Sequence, residues 1–290
     1  YNKKVCIPSE SIVLKARRIE GGAISTSPAP FEPAPLAEVL ASIASNKPDV
    51  VFAPHVETSS GMILPDEYIK AVASAVHAVG GLFVLDCIAS GAIWVNMEES
   101  GVDVLISAPQ KGWSGTPCCA FVTMSALARE RIDTTTSTSF VCDLKKWMQI
   151  MEAYEKGGHG YHATMPTDSL LKVRDVMKEA HIYGFEKLRG EQLALGLAMR
   201  NMLTERNIVN VAAPGFEAPG VIVCFTDNVQ LHNSKLMSAQ GIQIAAGVPL
   251  QCDEGPDYRT FRLGLFGLEK MHNVERTVET LKKAFIAAEL

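Results

Sequence analysis

Short apolar runs alternate with helix-like segments along the first two thirds of this chain, and this alternation constrains its fold more than any other feature. The runs are rich in aliphatic and β-branched residues, and they begin at Val50, Leu82, Asp103 and Cys119. Such alternation is typical of βαβ units, in which helices connect parallel strands. Because the runs are apolar almost throughout, we expect both faces of the sheet to be covered. The sequence therefore predicts an α/β fold with a mainly parallel sheet flanked by helices.

The pattern changes beyond Arg131, where longer helical segments and then short mixed strands follow. Pro65 with two acidic residues predicts the start of one helix, and Gly80-Gly81 predicts its end. The other predicted helices cover residues 36–45, 144–154, 167–182, 185–205, 228–240 and 273–288. Further strands are predicted at residues 209–212, 221–225 and 258–263. We interpret the chain as a larger domain over residues 1–183 and a smaller C-terminal α+β domain over residues 184–290.

Composition argues against several classes of protein. The net charge of −5 disfavours nucleic acid or an anionic membrane surface as the main partner. The longest apolar stretch, residues 71–95, is interrupted by His77, three glycines and Asp86, so it is a poor membrane span. The cysteine count of 7 is odd and no CxxC pair occurs, which favours a reducing compartment over a disulfide framework. No secretory signal opens the sequence, and we expect a cytoplasmic protein.

Polar residues follow three of the apolar runs at the point where each predicted strand ends. Lys111 follows the run that starts at Asp103, Asp86 closes the run from Leu82, and a polar turn containing Thr58 follows the run from Val50. The carboxyl ends of parallel strands form the crevice in which α/β sheets bind ligands. An amine, a carboxylate and hydroxyls in one crevice suit pyridoxal phosphate, whose aldehyde needs a lysine and whose ring nitrogen needs a carboxylate.

Each of these residues also has a simpler interpretation. A single lysine is mostly a solvated surface residue. An aspartate at a strand end often caps a turn, and Ser, Thr and Gly favour turns in any case. The loop Gly112-Trp-Ser-Gly115 after Lys111 could bring backbone close to a ligand, which favours the functional interpretation. In that interpretation Thr58 could donate a hydrogen bond to the ring hydroxyl, and His55 could lie near the ring.

Five ordered motifs make the interpretation specific. They are His55-Val-Glu-Thr-Ser-Ser-Gly61, Asp86-Cys-Ile-Ala-Ser90, Ser107-Ala-Pro-Gln-Lys111, Gly160-Tyr-His-Ala-Thr164 and Phe261-Arg-Leu-Gly-Leu-Phe-Gly267. Together they resemble the class V aminotransferases of pyridoxal phosphate (PLP) fold type I, in particular the alanine–glyoxylate/serine–pyruvate aminotransferase group. The similarity extends over nearly the whole chain.

This resemblance implies a cofactor site for pyridoxal 5′-phosphate. Lys111 would form the Schiff base with the cofactor, and Asp86 would bind the pyridine nitrogen. Ile88 would pack against the ring, and Thr58 and Gln110 would be hydrogen-bonding neighbours of the cofactor.

The resemblance also implies a substrate clamp and a subunit interface. Arg262 would bind the substrate α-carboxylate, a task that suits its planar guanidinium. Tyr161 and Thr164 would reach the cofactor phosphate across the interface of a homodimer. The family's N-terminal arm, glycine-rich phosphate-binding turn and ring-stacking aromatic residue have no counterpart between Tyr1 and Pro35, so we expect this sequence to lack that segment.

The function that follows is transfer of an amino group from a small amino acid, alanine-like or serine-like, to a 2-oxo acid such as glyoxylate or pyruvate. The amino donor stays open and includes pyridoxamine. One alternative is a PLP-dependent lyase of the cysteine desulfurase type using Cys252, although Gln110 stands where those enzymes usually place a histidine. Another is a non-catalytic PLP-fold subunit. His159 and His162 could suggest a metal pair, but no carboxylate or cysteine cluster joins them in the sequence.

Overall fold

A computed structural model describes residues 11–19 and 28–290 of the chain. The strands in these residues are β1 (Arg17–Arg18), β2 (Phe31–Glu32), β3 (Val50–Pro54), β4 (Val56–Glu57), β5 (Met62–Ile63), β6 (Leu82–Asp86), β7 (Val104–Ser107), β8 (Phe121–Met124), β9 (Val221–Phe225), β10 (Ala245–Ala246) and β11 (Thr260–Gly264). The helices are α1 (Leu36–Asn46), α2 (Asp66–Ala78), α3 (Met97–Ser100), α4 (Ala126–Asp133), α5 (Leu144–Glu155), α6 (Thr167–Tyr183), α7 (Phe185–Thr204), α8 (Val229–His232), α9 (Lys235–Ala239), α10 (Leu268–Met271) and α11 (Val274–Ala287).

The larger sheet has the strand order β3-β6-β7-β8. Its first three strands are parallel, as the alternation of runs and helices predicts, and β8 pairs antiparallel with β7. The register aligns Pro54 with Asp86 and Asp86 with Ile106, so three strands end at the same level. A mainly parallel sheet with flanking helices agrees with the α/β fold that the sequence predicts.

Helices α1 and α2 cover one face of the larger sheet, where apolar residues at helical spacing, such as Ile69 and Val76, pack with Phe83 and Leu85 of β6. The opposite face is less covered than the sequence predicts. The side chain of Phe52 is 73% exposed and that of Val50 is 39% exposed. The expectation that both faces are buried is therefore wrong at β3. This strand lies at the edge of the sheet, and its outward residues have little packed over them within the described part of the chain.

The smaller sheet is antiparallel, with the order β10-β11-β9. Its core contains Ile222 of β9 and Phe261 of β11, which pack with Met199 of α7 and Phe285 of α11. The predicted helices at 144–154, 167–182, 185–205 and 273–288 are confirmed to within one residue at each end.

The predicted helix at 228–240 is instead two short helices, α8 and α9, because Ser234 takes a left-handed conformation with φ of 66°. The segment predicted as a strand at 209–212 forms isolated bridges, such as Asn210 with Cys224. Among the helices of the described residues, none combines the length and apolar character needed to cross a lipid bilayer.

Candidate active site

Three loops meet at the carboxyl edge of the larger sheet. They follow β3, β6 and β7, and backbone hydrogen bonds join them just beyond the strands. The amide of His55 donates to the Asp86 carbonyl at 2.8 Å, and the amide of Cys87 donates to the Ile106 carbonyl at 2.7 Å. The ladder therefore continues past the ends of the strands, and it holds the Thr58 turn, the Asp86 loop and the Lys111 loop at one edge, where the sequence places them.

Asp86 is the last residue of β6, and its side chain is exposed. One carboxylate oxygen, Oδ1, accepts a hydrogen bond from the amide of Ile88 at 2.9 Å. This local bond is the turn-capping role expected of an aspartate at a strand end, and it also fixes the direction of the carboxylate. Among the described residues no lysine, arginine or histidine forms an ion pair with Asp86. Capping and cofactor binding are thus compatible, because the capping bond uses only one oxygen.

Lys111 lies in the turn after β7 and is half-buried, whereas its neighbour Gln110 is exposed. The backbone of the turn is ordered by local bonds: the amide of Ser114 donates to the Lys111 carbonyl at 3.0 Å, and the amide of Gly115 donates to the Pro109 carbonyl at 2.8 Å. The Lys111 ammonium has no hydrogen-bond or ion-pair partner in the part of the chain that the structure describes. A lysine on an ordered turn whose amine has no partner is available to a ligand.

Arg262 connects the smaller sheet to this edge. It lies on β11, and its Nε donates to the carbonyl of Ala246 at 2.8 Å, while Nη1 approaches the carbonyl of Thr58 at 3.5 Å. Both contacts are to backbone oxygens, and no carboxylate among the described residues neutralises the guanidinium. The structure therefore places Arg262 next to the Thr58 turn, although 204 positions separate the two residues in the sequence.

His55 lies in a buried environment at the end of β3. Its side chain is buried, and Nδ1 shares a hydrogen bond of 2.7 Å with the hydroxyl of Ser90, which is also buried. Burial lowers the pKa of His55 from 6.5 to about 4, against a smaller opposing effect of Asp66. A neutral imidazole thus ties the end of β3 to the loop that carries Asp86. Ser90 closes one of the five motifs, but sequence reasoning gave it no role.

Tyr161 and Thr164 lie on the surface after α5. The Tyr161 hydroxyl and Thr164 Oγ1 are 3.1 Å apart, and the Tyr161 side chain is 74% exposed. Within the described residues of one chain they form no hydrogen bond to Lys111, Asp86 or Thr58. The structure brings the two residues together, as a pair acting on one ligand requires, but it does not bring them to the Lys111 site of the same chain.

The residues behind the alternative interpretations have ordinary environments. Burial, with Glu254 nearby, raises the pKa of the Cys252 thiol, which is unfavourable for a nucleophile. His162 Nε2 contacts the carbonyl of Phe140 at 2.8 Å, and the two rings stack. Across the described residues there is no group of three or more His, Cys, Asp or Glu side chains that could hold a metal.

The donor set fits three of the groups that the predicted cofactor and an amino acid substrate present. Lys111 matches an aldehyde, Asp86 matches a protonated pyridine nitrogen, and Arg262 matches a carboxylate. All three are charged groups at or beside one sheet edge, and none has an oppositely charged partner among the described residues. Ile88, on the turn after Asp86, is half-buried and supplies an apolar surface there.

Comparison with known proteins agrees with this chemistry. The family model for class V aminotransferases matches residues 27–260. The alanine–glyoxylate aminotransferase of Callithrix jacchus is 27% identical over 269 residues, which cover 86% of this chain and 60% of that protein. The small subunit of a soluble hydrogenase from Synechococcus sp. is 26% identical over 240 residues, which cover 82% of this chain and 60% of that protein.

A solved structure shows the same fold. The alanine–glyoxylate aminotransferase from Nostoc sp. superposes with a TM-score of 0.76 at 20% identity, covering 89% of this chain and 67% of the other. This chain spans about three fifths of the length of the curated relatives named above, each of which it covers to 60%.

Proposed function

Since this chain belongs to the class V aminotransferase family, we propose that it carries the site of a PLP-dependent transaminase. The reaction moves an amino group from a small amino acid, alanine-like or serine-like, to a 2-oxo acid such as glyoxylate or pyruvate. The names of the matched aminotransferases support this substrate class. The amino donor within the class, including pyridoxamine, is a matter for experiment.

One observation carries the proposal. Lys111, Asp86 and Arg262 lie at or beside a single sheet edge, and none has an opposite charge as a partner among the described residues. Two cations and a carboxylate that lie near one another without pairing leave their charges open to a ligand, so this arrangement favours a ligand that supplies the partners. A ligand with an aldehyde, a basic ring nitrogen and a second component with a carboxylate fits all three.

Three residues of this chain have separate roles in the proposed reaction. When bound, PLP supplies the electron sink for the negative charge that develops at the substrate Cα. Arg262 binds the α-carboxylate and thereby orients the Cα–H bond. The Lys111 amine would hold the cofactor through its aldehyde and, when free, would accept the proton from the substrate Cα and hold it for return. The Asp86 carboxylate would pair with the pyridine nitrogen, and its hydrogen bond from the Ile88 amide keeps the carboxylate in place.

The test is a comparison of two lysine variants. Lys111→Ala should lose the visible absorbance of bound cofactor and all turnover, because it removes the amine that would form the Schiff base. Lys172→Ala, which removes an exposed lysine on α6, should retain both. Retention of absorbance and turnover by Lys111→Ala would refute the assignment. A spectral scan of the wild type against small amino acids and pyridoxamine then identifies the donor, and no response to any donor favours a non-catalytic PLP-fold subunit.

We also propose that the active unit is a homodimer, in which Tyr161 and Thr164 serve the site of the other subunit. Helix α5 has no buried residue, and Tyr154 on it is 60% exposed. Phe140 is 63% exposed and stacks on His162 at 4.1 Å, which joins the Tyr161 loop to this apolar surface. Exposed aromatic residues of this kind are typical of subunit interfaces. Tyr154→Glu should lower the mass measured by light scattering from dimer to monomer, and an unchanged mass would exclude this surface.

We further propose that the chain divides into a larger domain over residues 1–183 and a smaller one over 184–290. Gly184, which separates α6 from α7, supports this division. A cytoplasmic location is supported by the cysteine pattern of the sequence.

A further inference from the structure

Two glycines make the tightest backbone contact near Lys111. A Cβ placed on Gly112, the residue directly after Lys111, would lie 2.1 Å from the carbonyl oxygen of Gly91 and 2.9 Å from its Cα. All the clashing atoms belong to the backbone, so no side chain could move aside. Gly91 itself has a φ of 66°, a left-handed conformation that favours glycine. The direction in which the chain leaves Lys111 is thus set by the position of Gly91.

A buried side chain of α7 fills the space beside Gly91. A Cβ on Gly91 would lie 2.8 Å from Oε1 of Gln192, and one on Gly220 would lie 3.5 Å from the same atom. Gln192 is 0% exposed, and its Nε2 donates to the carbonyl of Pro219 at 3.2 Å. The amide nitrogen is therefore anchored, and the amide oxygen occupies the space into which a side chain at position 91 would point.

The oxygen of this amide has no hydrogen-bond partner among the described residues. A buried acceptor without a partner is destabilising, so its presence requires an explanation. An apolar residue would fill the same space without that cost, but a shorter one would not reach Gly91. Nε2 has its hydrogen bond to Pro219, so what the oxygen provides is the filling of the space beside Gly91.

The two residues after Gly112 are also held by contacts with other parts of the chain. The Trp113 ring packs against Trp94 at 4.9 Å and against Phe185 at 6.1 Å. Ser114 Oγ accepts a hydrogen bond from the amide of Leu268, at the start of α10, at 3.1 Å. The turn is therefore anchored at each residue from 112 to 114, while the Lys111 side chain is left without a partner.

We propose that Gln192 is a positioning residue for Lys111, acting as a spacer that holds Gly91 against Gly112. The inference rests on the proposed role of Lys111 and extends it to a residue that no sequence motif includes. The length of the side chain should matter more than its polarity. Gln192→Asn, which shortens the side chain by one methylene, should release Gly91, and Gln192→Met should keep the contact.

The decisive measurement uses the protein without cofactor. Acetic anhydride labels each lysine at a rate that reports its exposure and environment, and mass spectrometry of peptides gives the rate at Lys111 relative to the exposed Lys172. In Gln192→Asn a loosened turn should expose the half-buried Lys111, and its relative labelling should rise several-fold. Gln192→Met should label as the wild type does. Met199→Ala, which removes an equally buried side chain of α7, should lower stability without changing the labelling ratio.

A second measurement adds PLP. The rate at which borohydride-trappable adduct forms on Lys111 should fall about tenfold or more in Gln192→Asn, because small displacements of a reacting group cost large factors in rate. The proposal is overturned if Gln192→Asn labels like the wild type, if Gln192→Met behaves like Gln192→Asn, or if Met199→Ala changes the ratio equally. Absence of the adduct in the wild type would instead refute the proposed function, and the labelling ratio would still decide the role of Gln192.

Discussion

The buried His55 should make the stability of this protein fall as the pH drops below the usual range of histidine. Its pKa is lowered by burial from 6.5 to about 4. Between these values the unfolded chain binds a proton that the folded chain excludes. Stability therefore rises with pH over this interval and is fully present above the unfolded pKa. The shift corresponds to about 3 kcal/mol of unfolding free energy, at about 1.4 kcal/mol for each unit.

The assay is urea unfolding at a series of pH values from 7 to 4, followed by circular dichroism. Wild type should lose about 3 kcal/mol more over this range than His55→Gln, which cannot bind the proton. Glutamine retains a group that can bond to the Ser90 hydroxyl, so the variant should fold. His159→Gln removes an exposed histidine and should follow the wild-type curve.

Carboxylates titrate in the same range, but they do so in both proteins, and the difference between the two curves isolates His55. Parallel curves for wild type and His55→Gln would refute the reasoning, because they would show that the folded protein binds this proton as readily as the unfolded chain. A nuclear magnetic resonance titration of the His55 ring gives an independent check, since the ring should stay neutral until the pH approaches 4.

Three other changes have expected outcomes. Phe285→Ala removes a fully buried ring that packs against Phe261 and should lower the unfolding free energy in urea by about 3–5 kcal/mol. Ser125→Ala removes the side chain that caps α4 and bonds to buried Asp103, and should cost about 1–2 kcal/mol in the same assay. Cys252→Ala should leave transamination unchanged, with no sulfide released from cysteine by either protein; sulfide formation that disappears in the variant would instead support a lyase of the desulfurase type.

The features that were predicted correctly from the sequence depend on residues close together in the chain. Residues 167–182 and 185–205 have helical periodicity, and the structure has helices there. Lys111, Asp86 and Thr58 each follow an apolar run directly, and the parallel pairing of β3, β6 and β7 brings the three loops to one edge. Local sequence was sufficient here because strand direction alone decides which ends meet.

The prediction that strand residues are buried was wrong where burial depends on other elements packing over the strand. The run at β3 is as apolar as the one at β6, yet Phe52 is exposed while Val84, its partner in the register, is buried. Phe52 lies on β3, at the edge of the sheet, whereas Val84 lies on β6, between two other strands. An apolar run gives no information on that difference, because it reports the preference of a residue for burial and not the presence of a neighbour.

The contacts that hold the site residues in position could not be predicted from the sequence. Arg262 was found from a motif, but its proximity to the Thr58 carbonyl depends on the folded chain, which brings β11 next to the Thr58 turn. Gln192 lies in α7, whose buried residues are mainly apolar. The apolar pattern is sufficient to predict the helix, so the sequence does not indicate that Gln192 is buried or that it has a role. Its contact with Gly91 joins residues about a hundred positions apart, and the need for it is visible only from the space beside Gly91. The charged groups of such a site can be recognised from short motifs, whereas the residues that orient them are selected by distances that only the folded chain defines.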